Sequence, residues 1–129
     1  MPEQSAALPP GLRVLLVEDE PLIALDGEAI LLSLGVAQVV CARGVADALA
    51  ALRSETFDAA ILDLRLDRDS SLPLAHRLTG LGIPFGFLTG YHADAIPDEF
   101  KDRPVVPKPF DADLLLQLMR KLVPVPPHP

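Results

Sequence analysis

Residues 13–20 read Arg-Val-Leu-Leu-Val-Glu-Asp-Glu. Four apolar residues in unbroken succession, Val14 to Val17, mark a strand buried on both faces, because a half-exposed strand would alternate apolar with polar side chains. Three acids follow at once. Pro21 comes next, and the first turn of a helix tolerates it because its missing N–H has no partner there anyway. Leu22, Leu25, Ala29 and Leu32 then recur at helical spacing as the predicted inward stripe, until Gly35 stops the helix. Strand, acidic loop and helix open a parallel α/β sheet, and the rest of the chain continues the alternation.

A second strand is predicted at Ala37 to Cys41, and a second helix carries Val45, Ala48, Leu49 and Leu52 on one face. The third strand, AAIL, ends at Asp63, and a polar loop from Arg65 to Ser71 leads into a helix with Leu74, Ala75 and Leu78 turned inward. A fourth strand follows at Pro84 to Leu88. The next segment, YHADAIPDEF, holds at most a short and weak fourth helix, since Pro97 removes an N–H donor and clashes with the preceding turn. A fifth strand, PVVP, precedes PFDADLLLQLMRKL, where Asp111 caps a last helix that buries Leu114, Leu115, Leu118 and Leu122. Leu116 is surplus to that stripe and is expected at the surface. Residues 1–11 and 124–129, rich in Pro, read as tails around one domain at 12–123.

With 129 residues, half of them hydrophobic, 22% charged and 5% aromatic, the chain can build one aliphatic core. The formal charge of −7 and the absence of any Lys/Arg stripe argue against nucleic acid as a partner. Cys41 is the single cysteine, which excludes an internal disulfide and a cysteine metal site, and a buried, inert thiol is expected. His76, His92 and His128 share no ligand spacing. The first eleven residues lack the charged and apolar regions of a signal peptide. No apolar run approaches the ~20 residues of a membrane span, so a cytoplasmic protein is expected.

In an open parallel sheet, ligands bind beyond the carboxyl ends of the strands. The polar residues directly after the apolar runs are Glu18 and Asp19, then Asp63, then Thr89 with Gly90, then Lys108. Three crowded carboxylates repel one another unless a cation lies among them, and oxygen ligands with room for water suit Mg²⁺. Lys108 and Thr89 could hold the remaining oxygens of a phosphoryl group, which leaves Asp63 as the nucleophile.

The segments VLLVEDE, AAILDLRL, FLTGY and VPKPF resemble, in order and spacing, those of the response regulator receiver family, and the resemblance runs from Leu12 to Val123. It implies a three-layer, doubly wound, flavodoxin-like α/β fold with five parallel strands in the order 2-1-3-4-5 and five helices. Asp63 would be the phosphoacceptor. Asp19 and Asp63 would contact Mg²⁺ or Mn²⁺ directly, Glu18 through water and Arg65 through its backbone carbonyl. Thr89, Gly90 and Lys108 would contact the phosphoryl group, with the Lys108–Pro109 bond cis.

Arg65 and Tyr91 occupy positions that tune dephosphorylation in the family. Val105 stands where the family usually has an aromatic switch residue. FLTGY and PKPF resemble the atypical FAT GUY subfamily, in which single-domain members are common. A histidine kinase or histidine phosphotransfer protein would be the donor. A downstream protein would dock on the face of the fourth helix, fifth strand and fifth helix, by a monomer or a phosphorylation-dependent dimer. With seven residues left after Leu122, no output domain is expected, which admits a phosphate sink or shuttle. The rivals are a haloacid dehalogenase-like aspartyl-phosphate hydrolase, which needs an acid where Arg65 stands, and a pseudo-receiver, which would lack an acidic or acceptor residue.

Overall fold

Residues 8–66, 69–90 and 96–124 are described by the computed structural model. The uninterrupted apolar runs form one all-parallel sheet of β1 (Arg13–Val17), β2 (Gln38–Ala42), β3 (Ala59–Asp63), β4 (Phe85–Thr89) and β5 (Val105–Pro107). Its order is β2-β1-β3-β4-β5, with Leu16 opposite Ile61 and Asp63 opposite Leu88. Strand order reverses between β1 and β3, so the acids after those two strands open onto the same crevice.

Among the described residues four helices cover the sheet: α1 (Pro21–Ser33), α2 (Val45–Ser54), α3 (Leu72–Leu81) and α4 (Ala112–Leu122). Ala48 of α2 and Leu74, Ala75 and Leu78 of α3 bury one face together with Leu15, Leu62 and Phe87. Leu31 of α1 and Leu115, Leu118, Met119 and Leu122 of α4 bury the other with Leu16, Ile61 and Leu88. Asp111 caps α4 as expected, its Oδ1 accepting the Leu114 N–H at 2.9 Å. Leu114 and Leu116 are both only partly buried, against that second cluster. Leu8 also packs into it, and Val123 lies at its rim.

The predicted inward stripe of α1 is overturned. Leu22, Leu25 and Leu32 are 80%, 62% and 46% exposed and Ala29 is exposed, whereas Gly27 and Leu31 are buried. The helix is apolar on nearly every side, so its period selects no face. Its rotation is set by Gly27: a Cβ there would lie 3.0 Å from the Leu16 side chain and 3.5 Å from that of Phe110. Gly86 does the same between β4 and α4, where a Cβ would come within 2.6 Å of Leu118.

Three smaller expectations also change. Cys41 is exposed, because β2 is an edge strand with a neighbour on one side only. Its thiol is nonetheless pushed up to about 11, by partial burial first and then by the carboxylate of Glu28, which favours the thiol over the thiolate. The loop after β3 contains a two-residue antiparallel ladder, Arg65–Leu66 with Asp69–Ser70. Among the described residues the expected fourth helix is reduced to a 3₁₀ turn at Asp98–Phe100, begun by Pro97. Much of that segment, residues 91–95, lies outside the described residues, as do His92 and His128.

Candidate functional site

The carboxyl edge of the sheet gathers the side chains that the strand ends single out. Glu18 follows β1, and its amide donates to the carbonyl of Ala42 at 3.0 Å, tying the acidic loop to β2. Oxygens of Glu18, Asp19 and Asp63 lie within 4.8 Å of one another. From the end of β5, the Lys108 ammonium reaches across the sheet to Asp63 Oδ2 at 2.9 Å and to Glu18 Oε1 at 2.7 Å. The Lys108 N–H donates to the Thr89 carbonyl at 2.7 Å, which locks the strand end that carries the lysine to the one that carries the hydroxyl. Thr89 is buried, and the Lys108–Pro109 bond is cis.

Electrostatics at this edge are unbalanced. Glu18 is 1% exposed, and burial pushes its carboxyl up to about 7. Hydrogen bonds from Lys108 and from the Glu20 amide, at 3.1 Å, work against that shift, while the charge of Asp63 adds to it. Lys108 shows the converse. Burial would lower its ammonium, but the hydrogen bonds and charges of Glu18 and Asp63 outweigh burial and hold it above the ordinary lysine value.

Glu18 Oε1 is buried, and the Lys108 ammonium 2.7 Å away is its ion-pair partner. Among the described residues one ammonium faces three clustered carboxylates, a donor set that fits a hard divalent cation such as Mg²⁺.

Each remaining candidate has a place. A Cβ built on Gly90 would meet nothing within 4 Å, so packing does not demand glycine there and the space beside it is open. The backbone of Arg65 lies two residues past Asp63 in the short ladder, and Tyr91 falls outside the described residues. Val105 sits on β5 opposite Phe87, 37% exposed. The sequence reading missed Ser71, whose buried hydroxyl donates to the Leu64 carbonyl at 3.3 Å and steadies the turn directly after Asp63. It also missed a cavity of about 570 Å³ beside the site, lined by Leu22, Ile23, Asp26, Gly90, Lys108, Pro109 and Phe110.

Fold and site together define a flavodoxin-like α/β domain with an acidic, lysine-bearing pocket at the carboxyl edge of its sheet. SdrG from Sphingomonas melonis Fr1 is 40% identical, with a TM-score of 0.73 over 87% of this chain and 96% of SdrG. A response regulator receiver domain (CheY-like) from Methylobacillus flagellatus is 26% identical, with a TM-score of 0.76 over 87% of this chain and 98% of that one. Sensor protein TorS of Escherichia coli (strain K12) is 34% identical over 116 residues. That match covers 84% of this chain, which spans only 12% of the length of TorS. No family model matches. The chain belongs to the response regulator receiver family of two-component signalling. Among the described residues no helix is long and apolar enough to cross a membrane.

Proposed function

We propose that the protein receives a phosphoryl group on Asp63 from a histidine kinase or a histidine phosphotransfer protein and passes the signal on through protein contacts. The observation that carries this reading is the Lys108 ammonium shared between Asp63 and Glu18 amid three clustered carboxylates. Glu18, Asp19, Asp63 and the Arg65 carbonyl would hold Mg²⁺ or Mn²⁺, which supplies positive charge against the phosphoryl oxygens. An Asp63 oxygen attacks phosphorus, Lys108 and Thr89 take the remaining oxygens, and Gly90 leaves room for the group. Arg65 and Tyr91 shield the acyl phosphate from water. A hydrolase reading lacks the second acid that leaving-group protonation needs, since Arg65 occupies its position.

The exposed ridge of α1 gives the donor a place to dock. Leu22, Leu25, Ala29 and Leu32 present an apolar stripe that ends at the cavity beside Lys108. Downstream contacts fall on the opposite flank, where β5 exposes Val105. With no aromatic at that position, the signal leaves through Thr89 and the segment from Tyr91 to Phe100, the FLTGY motif marking the FAT GUY subfamily. In the absence of an output partner, the same chemistry makes a phosphate sink or shuttle.

The test is to incubate the protein with Mg²⁺ and acetyl phosphate and look for one acid-stable, base-labile phosphate. Asp63→Asn should abolish it, and an adduct that survives the substitution would refute the acceptor assignment. With a phosphorylated donor protein, Leu25→Glu should slow transfer at least tenfold while labelling by acetyl phosphate continues. Equal slowing of both would remove the docking role.

A further inference from the structure

The cavity beside the acceptor joins two kinds of wall. Lys108 and Gly90 belong at once to it and to the phosphoryl site, while among the described residues Leu22, Ile23, Pro109 and Phe110 make the rest apolar apart from Asp26. Its size of about 570 Å³ falls among ordinary small-ligand pockets, ample for one aromatic ring. Gly27 brings α1 against β1, where a Cβ would lie 3.0 Å from the Leu16 side chain, and the Phe110 ring packs at ordinary contact distance beside it.

We propose that this cavity receives the leaving group of the phosphodonor and favours a flat aromatic one. The inference rests on Asp63 being the phosphoryl acceptor. In an in-line displacement the leaving atom lies across phosphorus from the attacking oxygen. Lys108 Nζ stands 2.9 Å from Asp63 Oδ2, so a phosphoryl group arriving at Asp63 comes beside the lysine. The leaving group, one bond farther out, then meets the space that Lys108 and Gly90 also border.

The chemistry balances for two kinds of donor. From an aryl acyl phosphate, an Asp63 carboxylate oxygen forms the new P–O bond, the old P–O bond breaks, and the arenecarboxylate departs with the electron pair. No proton moves. From an N-phosphorylated imidazole protonated on its far nitrogen, the P–N bond breaks and neutral imidazole departs. Its remaining N–H is a donor for the Asp26 carboxylate, the one acidic side chain in the lining among the described residues. The apolar walls serve either ring, and Asp26 serves only the second.

The full chain with Mg²⁺ is assayed for initial rates of Asp63 phosphorylation by two matched pairs: benzoyl against acetyl phosphate, and phosphoimidazole against phosphoramidate. Within each pair the bond broken is the same, so the rate ratio reports the ring. Ile23→Ser and Phe110→Ala should each lower both ratios by about tenfold, the discrimination that one or two lost apolar contacts give. Asp26→Asn should lower the imidazole ratio alone.

As a readout independent of turnover, benzoate should shift the amide resonances of Ile23 and Gly90 more than acetate does. That result stands even if Phe110→Ala fails to fold. Ratios unmoved by Ile23→Ser together with equal shifts from the two carboxylates overturn the leaving-group pocket while leaving the acceptor assignment intact. If phosphoramidate and acetyl phosphate both fail to label Asp63, the acceptor assignment falls and this inference falls with it.

Discussion

Each end of the sheet holds a cation among carboxylates, and the two ends differ in how completely the charges are matched. At the amino end, Arg13 opens β1. Its Nε donates to Gln38 at 3.0 Å, its terminal nitrogen pairs with Glu55, and its guanidinium lies 5.9 Å from the Phe57 ring centre. The amide of the same residue donates to Asp58 at 2.8 Å. At the carboxyl end, one lysine serves two of three clustered carboxylates, and one of those two, Glu18, is buried. The Arg13 side chain is about a third exposed, with partners in hand, whereas Lys108 and Glu18 are 18% and 0% exposed. A matched, partly exposed network fits a structural fastening, and a buried one with fewer cations than carboxylates fits a place kept for an incoming charge.

The largest effect that would sharpen this contrast comes from removing the scarce cation. Lys108→Met leaves Glu18 and Asp63, beside Asp19, without the ammonium they share and should destabilise the Mg²⁺-free protein by about 3 kcal/mol at neutral pH, read by urea unfolding. Mg²⁺ should then raise the unfolding midpoint by more in the variant than in the parent, since ammonium and metal neutralise the same oxygens. Equal increments would mean that lysine and metal do not share the site, and the contrast would break.

A smaller effect follows from Glu18. Its carboxyl is raised from 4.5 to about 7 in the folded protein, chiefly by burial. The folded state therefore holds this proton more tightly than the unfolded chain. The stabilisation from that proton is fully present below 4.5 and is lost as pH rises to about 7. Without metal, stability should fall across this window by an amount that Glu18→Gln removes. With saturating Mg²⁺, which favours the charged carboxylate, the fall should shrink and metal binding should release a proton. A pH profile identical in the parent and Glu18→Gln would place the excess charge elsewhere.

These residues were legible in the sequence because a strand buried on both faces leaves an unbroken apolar run, and the first polar residue after it stands at the sheet edge. Glu18, Asp63, Thr89 and Lys108 all follow from that rule, and β1, β3 and β4 are placed by it to within about a residue. The rotation of α1 was not legible. An all-round apolar helix points nowhere until Gly27 meets Leu16 and Phe110, which come from distant parts of the chain. The exposed leucines and the cavity were hidden for the same reason. Cys41 was misplaced because an apolar strand looks alike at the edge and the centre of a sheet, and only strand order separates them.

The smallest effect belongs to the amino end, and its smallness is the point. Arg13→Met keeps the amide bond to Asp58 and removes the links to Gln38 and Glu55 together with the guanidinium's place over Phe57. For a pair about a third exposed, water screens much of the attraction, and the cost should be about 1 kcal/mol or less. Both partners can turn to solvent, so no buried charge is stranded, unlike the outcome at Lys108. The loss should therefore be the same with and without Mg²⁺ and flat across the pH window in which Glu18 titrates, with Asp63 labelling by acetyl phosphate unaltered. An Arg13→Met penalty that grew with pH or vanished with Mg²⁺ would show that the two ends of the sheet are electrostatically coupled, and the distinction between fastening and site would have to be redrawn.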